Sequence, residues 1–266
     1  MVKPIELESA DRQALARAKS LLEQPTLAAK VANVIGAPFE RSSRLLPQKA
    51  RETLAEVTNR AVSQALKLSL RSLDAIPAPR HGRAWDKVAG AALGAAGGLF
   101  GLAGLAVELP ASTVLILRSI AEIARAHGEE LSDAEAQLAC VQVFALGGFS
   151  SADDAAEAGY FATRAALAGA VTEAARYVAR EGLGEGAPAL IRLVTAVAAR
   201  FGVVVTDKVI LTALPIVGAV SGATVNTVFV DHFQRVAEGH FTVRELERKY
   251  GAATVQDAYS GLDAVS

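Results

Sequence analysis

Apolar positions along the chain recur at helical spacing, and they predict an all-α protein: a multi-helix bundle built around two long, uncharged, glycine-containing central helices. Residues 9–23 place Leu15, Ala18 and Leu22 on one face and charges elsewhere, a surface helix that Pro25 ends. A second short helix over 26–35 stops at Gly36-Ala37-Pro38. After a connection, Pro47 sits where the first turn of a helix tolerates proline. Leu54, Val57, Ala61, Ala65 and Leu68 then trace a long amphipathic helix to Leu73, ended by Ile76-Pro77-Ala78-Pro79.

The first uncharged stretch, residues 88–107, runs into Glu108-Leu109-Pro110, where a turn is expected, and an amphipathic helix follows to Gly128. Ser132 with Glu135 reads as a capping box for a helix through Leu146, closed by Gly147-Gly148. Ser151 with Asp154 caps the next, which ends in the glycine-rich loop 182–186. Pro188 starts another. Gly202 and the β-branched run 203–206 weaken it, and Asp207 is the expected cap of the helix after it. The second uncharged stretch is residues 209–230, interrupted by Pro215. Thr242 with Glu245 caps a last short helix to Tyr250. The expected organisation is an N-terminal helical arm (1–46), a helical domain (47–250) and a flexible tail (251–266).

The two uncharged stretches carry the candidate site. Gly90, Gly94, Gly97, Gly101 and Gly104 fall on one stripe of a helix, and glycine costs about 1 kcal/mol per residue against alanine there. Such a stripe serves a close approach, either by another helix of the protein or by an apolar ligand. Gly218 and Gly222 repeat the spacing in the second stretch. Glu108, between two apolar runs, needs a partner or a helix N-terminus, because an unpaired carboxylate there costs several kcal/mol. Asn226 needs hydrogen-bond partners for the same reason. Arg118, Glu122, Asp207 and Lys208 are the remaining candidates for a polar network.

Composition narrows the function. Alanine is abundant and aromatic residues are 5% of the chain, which suits closely packed helices better than a β-sandwich. Cys140 is the single cysteine, so an internal disulfide is excluded, and its place on an apolar helix face suits core filling. Through Lys87 the chain carries 15 Lys and Arg against 9 Asp and Glu, and from Val88 onward 12 against 19. Arg80, Arg83 and Lys87 therefore offer a basic surface beside the first uncharged stretch, suited to anionic lipid. That stretch is 20 residues long, enough to span a bilayer, yet thirteen of them are Gly or Ala. A buried helix or a shallow insertion explains it equally. The basic residues are spread thinly and no aromatic residues interleave with them, so nucleic acid is not an expected partner. The N-terminus lacks an apolar core and a cleavage site, so no secretory signal is expected.

Leu46-Pro47-Gln48-Lys49, the glycine-rich run into Glu108-Leu109-Pro110, Arg118 with Glu122-Ile123, and Gly128 make a pattern. It continues through Tyr160-Phe161, Arg164, Lys208, Leu214-Pro215-Ile216-Val217-Gly218, Gly222 and Asn226. In order and spacing, from about Ala10 to Tyr250, the chain resembles the EcsC family of bacterial proteins, although the N-terminal helices lack the tryptophan many relatives carry there. The resemblance implies an all-helical fold and, from a family namesake encoded beside an ABC transporter, a membrane setting. It implies no reaction, cofactor or catalytic set.

Catalytic signatures are missing too. The four histidines lack the spacing of a zinc peptidase, Gly148-Phe149-Ser150-Ser151 is no nucleophile elbow, and no P-loop or dinucleotide fingerprint occurs. No cofactor or metal is expected. The leading expectation is a non-enzymatic cytoplasmic protein, peripheral to the inner membrane, that holds lipid or another apolar ligand between its central helices. The others are a soluble adaptor for an apolar helix of a partner protein, membrane proteins included, and a hydrolase using a buried acid such as Glu108.

Overall fold

The computed structural model describes residues 7–23, 46–72, 87–92, 101–148, 156–182, 187–213 and 218–262, and among these every regular element is a helix. In chain order they are α1 (Ser9–Leu22), α2 (Gln48–Ser72), α3 (Gly101–Ala126), α4 (Ala134–Leu146), α5 (Ala156–Glu181), α6 (Pro188–Ala213), α7 (Gly218–Tyr250) and α8 (Ala252–Ser260). A further helical segment covers 87–92.

The bundle is centred on α4. Its residues from Ala136 to Leu146 are all buried, because this stretch has apolar side chains on every side and only Gln137 and Gln142 as polar members. A helix apolar all round must be surrounded. Accordingly α2, α3, α5, α6 and α7 all pack against it. The outer elements α1 and α8 lie on α7 and on each other. Phe144 of α4, Phe201 of α6 and Phe229 and Phe233 of α7 form the aromatic centre, with ring centroids 5.0 to 6.1 Å apart. Cys140 lies beside them as core filling, and burial pushes its thiol up to about 12.

Several local expectations are corrected. The turn at Pro110 does not form: α3 runs through it from Gly101 to Ala126. A proline inside a helix costs about 3 kcal/mol. Here Leu105 and Leu109 are buried on one side of it and Ile116 and Leu117 on the other, so packing outweighs the local cost. Likewise α6 is unbroken through Gly202 and residues 203–206, since Phe201, Val204 and Val205 are buried along one face. Asp207 therefore lies inside a helix and not at the start of one.

The end of the chain departs from expectation in the same way. No new helix starts at Thr242, because its hydroxyl donates to the Glu238 carbonyl at 2.7 Å, a bond back into its own helix that leaves α7 continuous to Tyr250. The flexible tail expected after Gly251 contains α8, whose Val255 and Tyr259 are buried. At α4 the capping box is replaced by an N-cap at Asp133 without a side-chain cap bond, and Glu135 faces Arg244, 3.8 Å away.

The two uncharged stretches are thus divided differently from expectation. Residues 209–213 end α6 while 218–230 begin α7, and the long apolar helices are α3 and α6. Leu99, Val217 and the short helix expected over 26–35 lie outside the described residues.

Candidate functional site

The site grows from one requirement: charges that the sequence places on the apolar faces of α3 and α6, both packed on α7, must be neutralised. Glu108 sits in the first third of α3 and Lys208 near the end of α6, and both are buried. Lys208 Nζ donates to Glu108 Oε1 at 2.7 Å and to Asn226 Oδ1 of α7 at 2.7 Å. Its ammonium also lies 4.4 Å from the Phe229 ring centroid. Burial lowers the pKa of Lys208 and the Glu108 carboxylate works against that shift. Asn226, fully buried, passes the chain on by donating Nδ2–H to the Gly90 carbonyl.

Gly90 explains why the segment 87–92 comes so close. A Cβ there would lie 2.8 Å from Val230 Cγ2, so this member of the glycine stripe makes room for helix packing. Gly101, Gly104, Gly218 and Gly222 fall in helices α3 and α7, and Gly94 and Gly97 lie outside the described residues. The expected network of Arg118, Glu122, Asp207 and Lys208 divides. Lys208 joins Glu108 and Asn226, whereas Arg118 and Glu122 make an i,i+4 pair at 3.7 Å, about 15 Å further along α3. Asp207 is buried. Of the expected basic surface, Arg80 and Arg83 are outside the described residues, and Lys87 is engaged with Asp231 at 2.6 Å.

A second polar cluster joins Tyr160 and Arg164 of the sequence pattern to His240 and Glu247, which the pattern does not include. Arg164 of α5 makes a two-pronged contact with Glu247 of α7, at 2.7 and 2.9 Å, and its Nη1 also reaches Tyr160 Oη at 3.4 Å. That oxygen is 2.9 Å from His240 Nδ1. Burial, then Arg164 and Arg244, hold the pKa of His240 well below the ordinary histidine value. The available signal was the position of His240 on the stripe that Phe233, Val236 and Ala237 define along α7.

His127, just past the end of α3, contributes a third. Its Nδ1 is 2.7 Å from Glu245 Oε2 and its Nε2 3.3 Å from Glu238 Oε1. The two carboxylates, Glu238 first, raise its pKa despite partial burial. Beside it Glu129 is held by Arg244 and Arg248. Burial works to raise its carboxyl and the two guanidinium groups lower it.

These two histidines act on stability with opposite signs. His127, raised in the fold, stabilises below its unfolded pKa of about 6.5, and the contribution is lost as pH climbs through the folded value. His240 is lowered, so it costs nothing above about pH 6.5 and opposes folding as pH falls below it. Urea midpoints measured from pH 5 to 9 are expected to peak between these limits. His127→Gln flattens the alkaline limb, and His240→Phe flattens the acid one. A midpoint that rises steadily across the range contradicts both assignments.

Among the described residues no group of three or more His, Cys, Asp or Glu side chains converges in a way that holds a metal ion. The arrangement is chemically that of interior ion pairs and hydrogen-bond chains. Residues 9–246 match the family model described as EcsC protein family. No curated protein and no solved structure matches the chain.

Proposed function

The chain belongs to the EcsC protein family, and from that premise we propose a non-enzymatic role at a membrane surface, with the outer faces of α5 and α6 as the contact. One observation carries the reading. Of an 18-residue apolar stretch within Pro188–Leu211, only 44% is buried inside the protein. Ile191 is 53% exposed and Val203 38%. A Cβ added at Gly202, or at Gly169 on α5, would meet nothing within 4 Å. Beside them α5 exposes Ala162, Ala165 and Ala166. The Arg192–Glu173 pair closes this charge-poor area at one end. An uncovered apolar face of this kind marks a contact site in a folded protein.

Glu108 bears on the enzymatic alternative. A catalytic acid must reach substrate, while this carboxylate is buried and bonded to Lys208 in the middle of a helix crossing, the arrangement of an interior ion pair. Gly90 bears on lipid held between the helices, since Val230 already occupies its notch. The outer face is therefore the better candidate for an apolar contact.

Flotation with liposomes tests the reading. The protein is expected to rise with vesicles of anionic and of neutral lipid, and Ile191→Asp with Val203→Asp is expected to reduce the bound fraction about tenfold or more, since a buried unpaired charge is costly. Failure of the wild-type protein to float with either vesicle sinks the proposal.

A further inference from the structure

The last helix is joined to the bundle through a single residue. Gly251 is the N-cap of α8 and has φ +86°, a backbone conformation that side-chain-bearing residues rarely adopt. On its near side α7 is pinned to α1. Tyr250 Oη donates to Asp11 Oδ2 at 2.6 Å, Lys249 Nζ lies 2.7 Å from the same oxygen, and the Glu8 backbone N–H reaches Tyr250 Oη at 3.3 Å. The base of the joint is therefore fixed.

On the far side α8 is held chiefly through Tyr259 and the Lys19 ammonium. It is nine residues long, too short to be a stable helix by itself, and it buries only Val255 and Tyr259. The Tyr259 ring stacks on Tyr160 at a centroid distance of 6.0 Å and meets Phe161 edge-on at 5.1 Å. Lys19 of α1, itself buried, donates Nζ to the carbonyls of Tyr259 at 3.2 Å and Leu262 at 2.7 Å. A cation is thus set against the last carbonyls of a helix, where unsatisfied oxygens and the dipole favour it. Lys19, Tyr160 and Phe161 all fall within the family-matched residues 9–246, and α8 lies beyond them.

We infer that α8 is a releasable strap: it swings about Gly251 and uncovers a cradle, made by Tyr160, Phe161 and the Lys19 ammonium, that takes the same segment in trans. The cradle recognises an aromatic ring followed within one turn by free helix-end carbonyls. Its opening uncovers Val255 and Tyr259, breaks both carbonyl bonds of the Lys19 ammonium and lifts the Tyr259 ring from it, while α4 and the body of α7 stay folded.

Hydrogen exchange on the full-length protein tests the release. The amides of α8 are expected to exchange about a hundredfold faster than those of α4, at rates that low urea leaves unchanged, as local opening does. Lys19→Met speeds α8 about tenfold and leaves α4 unchanged. Exchange of α8 at the rate of α4, with the same urea dependence, overturns the strap. Binding of a fluorescent peptide of residues 251–262 tests the cradle. Tyr259→Ala in the full-length chain weakens the resident strap and is expected to bind the peptide about tenfold tighter than wild type, since more of the protein is competent. Val255→Ala does the same should Tyr259→Ala fail to fold. Equal or absent binding by the weakened-strap proteins overturns the cradle.

Discussion

Lys208→Ala is expected to destabilise the protein by about 3–5 kcal/mol, the range for removing one partner of a buried ion pair. The reason is what remains. Glu108 keeps a buried carboxylate on α3, and Asn226 keeps an Oδ1 whose donor at 2.7 Å is gone. Glu108→Ala strands the ammonium instead and is expected to cost a similar amount. Replacing both, Glu108→Leu with Lys208→Met, removes the desolvation burden together with the attraction, so the double variant is expected to lie within about 1–2 kcal/mol of wild type. Urea unfolding of wild type, Glu108→Leu, Lys208→Met and the double variant forms a double-mutant cycle, in which each single variant again leaves one charge stranded. A cycle in which the two single losses simply add would mean that the pair does not hold the crossing.

Phe233→Ala is the second large effect, at about 3–5 kcal/mol, the cost of an aromatic deletion in a closed core. Phe233 is fully buried and touches rings from three elements: Phe144 at 5.5 Å, Phe201 at 5.5 Å and Phe229 at 5.2 Å. A Cβ on Gly147 would lie 2.4 Å from its ring, so the end of α4 is fitted around it. Collapse into the vacated space requires α4, α6 and α7 to move together, and close-packed helices do so only partly. Phe161→Ala, at a ring only partly buried, is the control and is expected to cost clearly less, judged by thermal unfolding of both variants. Equal losses would place the core elsewhere.

Helical class and the need for a partner at Glu108 and Asn226 were legible in the chain, because a burial pattern at period 3.6 and a charge between apolar runs both have local signatures. The identity of the Glu108 partner was not. Lys208 is a hundred residues away, and nothing in the sequence orients α6 against α3. Element ends at Pro110 and Gly202 were not legible because breaker residues carry a local cost that burial outweighs, and at Thr242 because a hydroxyl that can cap a helix bonds back into its own helix instead. The centrality of α4 was hidden in a different way. Its apolar residues have no preferred face, so periodicity has nothing to report, and only the five helices around it reveal its place. The cluster of Tyr160, Arg164, His240 and Glu247 joins α5 to α7 across a span of sequence that spacing cannot bridge.

The proposed function rests on the outer face of α6 meeting a membrane while the polar clusters only hold the bundle together. Labelling isolates that claim, because Cys140 is buried and its thiol unreactive at neutral pH. A solvent-sensitive dye on Val203→Cys is expected to shift to the blue when anionic vesicles are added, with no shift for the same dye on Arg60→Cys of α2. A dye at position 203 that reports water with and without vesicles, or one at position 60 that shifts equally, contradicts it.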